Sequence, residues 1–333
     1  MAEKVRFGVI GASGFAQRRT IPEGIVAADN GELCAVMSRS EDRIRPVGEQ
    51  FGVPWFTDVE AMLDTAEPDA VYIASPPAAH LAQTRACAVR GIHVLCEKPL
   101  AHTVADAEGI VAVCRERGVL CGTAFMLPFH SLAERCREIV QGGEIGTVVS
   151  ARVQFGFDYP PITGAFRQID REGGGGAFMD VGNHAMDLLE RLIGSRIDGV
   201  MALAGNRAHQ YWGVEDTCAT LLRLESGVVG MVDAYFCTPG AVNRVEINGS
   251  KGTVIVDGMM GQGAGGVLEV VGGTPRRIES DGRNMYRGEV TAFANAILTG
   301  TKPPVTGEDG LHSQRLVAAA YESARTGKLV EVP

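Results

Sequence analysis

The chain has 333 residues, 45% of them hydrophobic and 21% charged, with a formal net charge of −9. A single core stops growing near about 250–300 residues, so this length favours two domains. The acidic balance argues against a nucleic-acid partner, which would call for a basic patch. No apolar run approaches the ~18 residues of a membrane span.

The opening "MAEKVRFGVIG" enters a strand-like run with no charged n-region, apolar h-region or small-residue cleavage site, so a cytoplasmic protein is expected. In chain order, "VRFGVIG" (5–11), "ELCAVMS" (32–38), "DAVYIASPP" (69–77), "IHVLCEKP" (92–99) and "VLCGTAF" (119–125) are near-continuous apolar runs. Such runs suit parallel strands covered on both faces. Helical patterns over 78–91 and 103–118 separate them. Each ends in glycine, and the second starts with a Thr cap. The alternation predicts a doubly wound parallel sheet.

From residue 126 the pattern changes. Strand-like runs at 146–157, 216–236 and 244–258 follow one another, joined by the turn signals "ESG" and "NGSKG", which suggest antiparallel neighbours. Helices are expected near 177–193, 287–299 and 308–326. The fold class is therefore α/β: residues 1–125 form a doubly wound parallel domain. Residues 126–333 form an α+β domain with an open, mostly antiparallel sheet. The last helix is a candidate to pack back on the first domain.

The first strand runs into "VIGASGFAQRR" (9–19). A dinucleotide-binding turn uses a first glycine for the bend, a second for close approach to pyrophosphate and a small third residue for helix packing. Gly11 and Ala16 fill the outer places, while Ser13 stands in the middle, followed by Gly14. Serine is small and can donate a hydrogen bond to phosphate, and a helix N-terminus would add N–H groups. The expected contacts run through Gly11, Ala12, Ser13, Gly14, Phe15 and Ala16, with Arg18 and Arg19 facing solvent.

An NAD site usually places Asp or Glu after the second strand, to hold the ribose hydroxyl. Here "VMSRSEDR" offers Ser38, Arg39 and Arg43, with Glu41 and Asp42 facing outward at a helix start. Hydroxyls and guanidinium groups suit a 2′-phosphate, so NADP(H) is favoured over NAD(H).

"CEKPLA" (96–101) places Lys98 at the end of a parallel strand, where such sheets bind ligands. Further on, "REGGGGAFMDVGNHAMDLLERLIG" (171–194) sets Asp180, His184 and Asp187 on one helical face after four glycines. A core-packed helix with an incidental histidine is the plain alternative. Asp-x-x-x-His could chelate a metal, but no further ligand is apparent and none is expected. The eight cysteines (Cys34, Cys87, Cys96, Cys114, Cys121, Cys136, Cys218 and Cys237) form no C-x-x-C pair and read as reduced, mostly buried thiols.

"GVIGASGFAQRRTIP", "CEKPLA", "GGGGAFMDVGNHAMDLLERLIG", "GVEDTCATLLRLESG", "GSKGT" and "GEDGLHSQRLVAAAYESARTGKLVEV" together resemble motifs of the glucose-fructose oxidoreductase/inositol dehydrogenase/MocA (Gfo/Idh/MocA) family, in order along nearly the whole chain. The likeness is greatest to its 1,5-anhydrofructose reductase type. It implies a Rossmann domain and a hydride exchanged between nicotinamide and substrate. Lys98 would contact the reacting oxygen, His184 transfer the proton, and Asp180 orient substrate or histidine. Ser38, Arg39 and Arg43 would hold the 2′-phosphate. Phe166 and Arg167 would line the nicotinamide and substrate pocket, and Tyr286 reach back to the cofactor. Ser75, Pro76, His80 and Glu97 complete the expected cofactor contacts, and Tyr159 joins Arg167 among the substrate contacts.

One departure is "TAFMLPFH" (123–130), where Ala124, Phe125, Met126 and Pro128 replace polar residues common in relatives. The expected activity is oxidoreduction of a secondary alcohol and ketone, or aldehyde, on a sugar-like or cyclitol-like small molecule, such as a 1,5-anhydrofructose-type ketose. Two alternatives stand beside it: a dehydrogenase of a non-sugar cyclic diol, and a non-catalytic NADP-binding sensor on the same scaffold. A homo-oligomer through the C-terminal sheet is a candidate assembly.

Overall fold

The computed structural model describes residues 4–169 and 175–333. The chain divides into two compact units, 1–126 with 285–311, and 127–284 with 312–333. Residues 285–311 thus join the first unit rather than the segment that precedes them.

In the first unit the described strands are β1 (Val5–Ile10), β2 (Gly31–Met37), β3 (Trp55–Phe56), β4 (Ala70–Ile73), β5 (His93–Glu97) and β6 (Cys121–Ala124). They form one parallel sheet in the order β3-β2-β1-β4-β5-β6. Strand order reverses between β1 and β4, which makes the C-terminal ends of these strands the natural ligand position of a Rossmann sheet. Because both faces are covered, neighbouring residues of one strand enter different cores. Ala70 and Tyr72 join Phe7, Val9, Val36 and Leu95 on one face. Val71 and Ile73 join Ile10, Ala35, Val94 and Cys96 on the other. That two-sided burial is why these strands read as unbroken apolar runs.

Helix Val104–Arg117 starts where Thr103 accepts a hydrogen bond from the Asp106 amide at 3.1 Å, and it stops at left-handed Gly118. β3 is a two-residue strand too short to leave a periodic signal. The helix expected after the first loop is also brief. An α-helical turn, Phe15–Arg18, gives way to a π-helical segment, Thr20–Ile25.

In the second unit the described strands are β7 (Val148–Gly156), β8 (Ile197–Gly205), β9 (Thr217–Leu224), β10 (Val229–Tyr235), β11 (Arg244–Gly249), β12 (Thr253–Asp257), β13 (Val267–Val271), β14 (Arg276–Glu279) and β15 (Val330–Glu331). Their order is β14-β13-β12-β11-β7-β10-β9-β8-β15. Neighbours are antiparallel except β7 and β10, which run parallel. The "ESG" turn closes through Gly227 N–H to Leu224 O at 2.8 Å. The "NGSKG" turn closes through Gly249 N–H to Gly252 O at 2.8 Å. β9 shows the one-sided alternation of a sheet covered on a single face: Cys218, Thr220, Leu222 and Leu224 are buried, while Leu221 is exposed. Helices Ser131–Gln141 and Asn183–Ile193 pack on the covered face. Strands β8, β13 and β14 carried no clear sequence signal.

Among the described residues no helix is long and apolar enough to cross a membrane. Cys87, Cys96, Cys114, Cys136 and Cys218 are buried. Burial pushes the Cys87 and Cys136 thiols up to about 12, far from the reactive thiolate range.

Candidate active site

At the end of β1 the chain turns through Gly11, whose φ is +77°. A Cβ there would lie 2.6 Å from the backbone of Ala74 and Ser75, so only glycine fits. The Gly11 and Ala12 N–H groups donate to Met37 O at 2.9 and 3.0 Å, tying the loop to the end of β2. The other left-handed residue of the loop is Gly14, at φ +70° with open space beside it. Ser13 needs no such conformation, which explains how serine occupies the middle place. Ala16 is buried, as close packing requires.

Tyr286, from a helix far along the chain, is placed against this loop. Its ring meets Phe15 edge-on at 6.1 Å, and the Arg19 guanidinium lies 5.8 Å from its centroid. Arg19 also pairs with Glu23, so it packs inward, against expectation, while Arg18 is exposed. The π-helical segment after Arg18 shifts the phase that simple helical spacing assumes.

At the end of β2, Ser38 donates its N–H to Phe56 O at 3.1 Å. Arg39 and Arg43 are exposed, as are Glu41 and Asp42 in the first turn of the helix Glu41–Phe51. Neither arginine has an ion-pair partner among the described residues.

At the ends of β4 and β5 the side chains are tightly held. Ser75 Oγ donates to Gln83 Oε1 at 2.5 Å, and Pro76 is exposed. His80 is fully enclosed, with Nε2 2.8 Å from Ser75 O and Nδ1 3.1 Å from Leu100 O. Burial pulls its pKa below the usual value, and with both nitrogens engaged by backbone the ring fastens two loops together.

Glu97 and Lys98 are half-buried, and the Lys98–Pro99 bond is cis. Glu97 Oε1 accepts from the buried Tyr72 hydroxyl at 2.7 Å, and Oε2 from the Lys98 N–H at 3.2 Å. Glu289 is buried nearby, and burial together with the Glu97 charge raises its pKa well above the carboxylate range. Tyr72 and Glu289 had no motif to flag them: each reads as an ordinary core or helix position.

In the second unit, Asp180 falls within a π-helical turn, Phe178–Gly182, and His184 in the α-helix that continues it, Asn183–Ile193. Both are buried, as is Asp187, which binds Arg191 through both carboxylate oxygens at 2.9 Å. π-turns inside α-helices recur at functional sites. The structure brings Arg167 and Asp180 together, Nε to Oδ1 at 3.1 Å. His184 packs on Phe155, ring centroids 6.2 Å apart. Tyr159 packs against Phe157 and Phe236, and its carbonyl accepts from the Tyr211 hydroxyl and from Gln168 Nε2. Gly173, Gly174 and the Phe166 side chain lie outside the described residues. Ala124, Phe125 and Met126 are buried, and Pro128 is half-buried. Among the described residues no His/Cys/Asp/Glu cluster has metal-site geometry.

Family models agree with this anatomy. Residues 5–125 match an oxidoreductase family with an NAD-binding Rossmann fold, and residues 133–255 match the GFO/IDH/MocA C-terminal domain. The chain is 34% identical to D-xylose 1-dehydrogenase (NADP(+)) 2 of Haloferax volcanii over 98% of its length and 99% of the relative's. The chain belongs to the Gfo/Idh/MocA oxidoreductase family.

Other members place this Gfo/Idh/MocA protein among sugar and polyol oxidoreductases. It is 32% identical to 1,5-anhydro-D-fructose reductase of Ensifer adhaerens, covering 98% of both chains. Among solved structures, aldose-aldose oxidoreductase from Caulobacter crescentus, complexed with glycerol, superposes with a TM-score of 0.91 at 26% identity, covering 99% of this chain and 100% of the other. The Gfo/Idh/MocA architecture thus extends over both units.

Proposed function

We propose that this oxidoreductase uses NADP(H) to interconvert a secondary alcohol and a ketone, or an aldehyde, on a sugar-like or cyclitol-like molecule such as a 1,5-anhydrofructose-type ketose. The observation that carries the reading is Lys98 at the C-terminal end of β5, its neighbour Glu97 held from below by Tyr72. The first unit's residues fit a dinucleotide. Gly11 lets the loop lie directly against the Ala74–Ser75 backbone at the end of β4, and the space beside Gly14 is open. Because the Gly11 and Ala12 N–H groups are taken by Met37 O and the following α-helical turn is only Phe15–Arg18, the N–H groups of Ser13 and Gly14 and the Ser13 hydroxyl do most of the pyrophosphate binding, rather than a helix dipole. Ser38, Arg39 and Arg43 bind the 2′-phosphate, and the NADP(+) named for the Haloferax relative supports that preference. Phe15, Tyr286 and Arg167 belong to the same cofactor-contacting set.

When bound, the nicotinamide supplies or takes up the hydride. Lys98 offers an ammonium to the substrate oxygen, which stabilises negative charge developing there during reduction. His184 donates the proton that this oxygen gains, and accepts it in the reverse direction. Asp180, held by Arg167, orients substrate or histidine, and Tyr159 gives the sugar ring an aromatic face. A non-catalytic sensor would have no need of Lys98 and His184 together.

The exposed face of the second sheet carries Met201, Leu203, Leu221 and Val229, which supports a homo-oligomer formed through that face. Light scattering reads it directly.

The test of function is a screen of aldoses, ketoses and 1,5-anhydro-D-fructose followed by NADPH consumption, with Lys98→Ala as the blank. Removing Lys98 or His184 is expected to lower kcat at least about 100-fold. Wild-type turnover in both variants overturns the assignment.

A further inference from the structure

Glu215 and Asp216 are adjacent carboxylates, 1% and 0% exposed, just ahead of β9. Burying two such groups is costly unless hydrogen bonds replace the lost water. Asp216 is met by the N–H groups of Arg207, Ala208 and His209 at 2.8, 2.8 and 2.9 Å. Those bonds shape the turn from which His209 pairs with Asp158, beside Tyr159.

Glu215 reaches a different partner. Its Oε1 accepts from the Phe178 N–H at 2.9 Å and from the Tyr321 hydroxyl at 3.1 Å. Its main-chain oxygen accepts from the Ala177 N–H at 3.1 Å. Any Cβ at Gly176 would stand 2.5 Å from Oε1 and 2.7 Å from Oε2, so the absent side chain makes room for the carboxylate. The Phe178 ring then meets Tyr321 edge-on at 6.5 Å. Phe178 opens the π-helical turn that carries Asp180 and leads into His184.

The first N–H groups of any helical segment lack partners inside it, so whatever binds them chooses where the segment begins. A shift of one residue in that start redirects every side chain that follows. We infer that Glu215 is a positioning residue for Asp180 and His184, because its reach to the Phe178 amide sets the register of the turn that presents them. Gly176 and Tyr321 serve the same function, one by leaving space and the other by holding the carboxylate. This rests on the roles of Asp180 and His184 proposed above.

Two substitutions separate reach from charge. Glu215→Gln keeps the length and the acceptor oxygen, whereas Glu215→Asp keeps the charge and falls one methylene short. Activity is read with 1,5-anhydro-D-fructose and NADPH, alongside NADPH affinity, melting temperature and hydrogen exchange of the peptide spanning 175–186. Glu215→Gln is expected to stay within about threefold of wild-type kcat. Glu215→Asp is expected to lose about 10- to 100-fold, as a misplacement near 1 Å does. Its NADPH Kd should stay unchanged, and the 175–186 peptide should exchange faster.

The inference is overturned if both variants lose equally, or if neither changes kcat and exchange. It is also overturned if the Asp variant's loss only tracks a smaller folded fraction. The exchange measurement needs no substrate and decides the matter by itself where the probe sugar is not turned over. His184→Ala is run in parallel: full activity there sinks the reading of the site, whereas a dead His184→Ala beside a normal Glu215→Asp sinks only this inference.

Discussion

Tyr72 donates its hydroxyl to Glu97 Oε1 at 2.7 Å, so the carboxylate adjoining Lys98 is held by a residue from the middle of the sheet. Glu97 also receives the Lys98 N–H, which couples the lysine's backbone to the strand beside it. Tyr72→Phe removes one hydrogen bond to a charged acceptor, worth about 1.5–3 kcal/mol. We expect kcat to fall about tenfold, with NADPH affinity nearly unchanged. Steady-state kinetics beside a fluorescence titration checks this, and an unaltered kcat would show that Glu97 needs no such support.

Gly11→Ala tests the loop. The added methyl meets the backbone at Ala74 and Ser75 in a left-handed conformation that costs non-glycine residues about 1–2 kcal/mol before any clash. NADPH affinity should weaken by at least about tenfold, since the loop must move to accept it. Retained affinity would mean that the seating of the loop on Ala74 and Ser75 does not govern cofactor binding.

Arg39→Ala with Arg43→Ala tests the cofactor preference. Charge-assisted bonds to a phosphate contribute about 1.5–3 kcal/mol each, so NADPH Kd should rise about 10-fold or more while NADH Kd barely changes. The wild-type preference should also shrink at high salt, because both side chains are exposed. Tighter binding of NADH than NADPH by the unmodified protein would reverse the assignment.

Glu289 gives a pH signature. Burial, and then the Glu97 charge, raise its folded-state pKa well above the usual carboxyl value. The unfolded chain releases this proton near the usual value, while the folded chain keeps it. The stability Glu289 contributes is therefore complete below about pH 4.5 and declines as pH rises toward the folded pKa. Glu289→Gln removes that dependence. The variant should match wild type near pH 4 and melt higher at pH 7–8, by about 2–4 °C for each kcal/mol regained. Parallel melting curves across pH 4–8 read this, and an equal gap at every pH would contradict it.

The apolar runs of β1, β2, β4, β5 and β6 were legible because a strand buried on both faces leaves a local signal. The Thr103 cap and the "ESG" and "NGSKG" turns were legible for the same reason: each depends on neighbours a few residues apart, whereas the π-helical turn that carries Asp180 left no such signal and changes the spacing to His184 that a regular helix assumes. β3 and β8 were not legible, the one too short and the other partly exposed.

The sequence by itself therefore determined the doubly buried strands, the capped helices, the glycine loop and the identity of the chemical groups. Tertiary structure decided which distant residues meet. The parallel pairing of β7 with β10, the membership of 285–311 in the first unit, Tyr286 beside Phe15, and Glu215 on the Phe178 amide all join segments far apart in the chain. It also turned His80 inward onto two carbonyls. Periodicity cannot encode such meetings, because they follow from how whole elements share buried surface and satisfy buried polar groups, and that is settled only when the cores close.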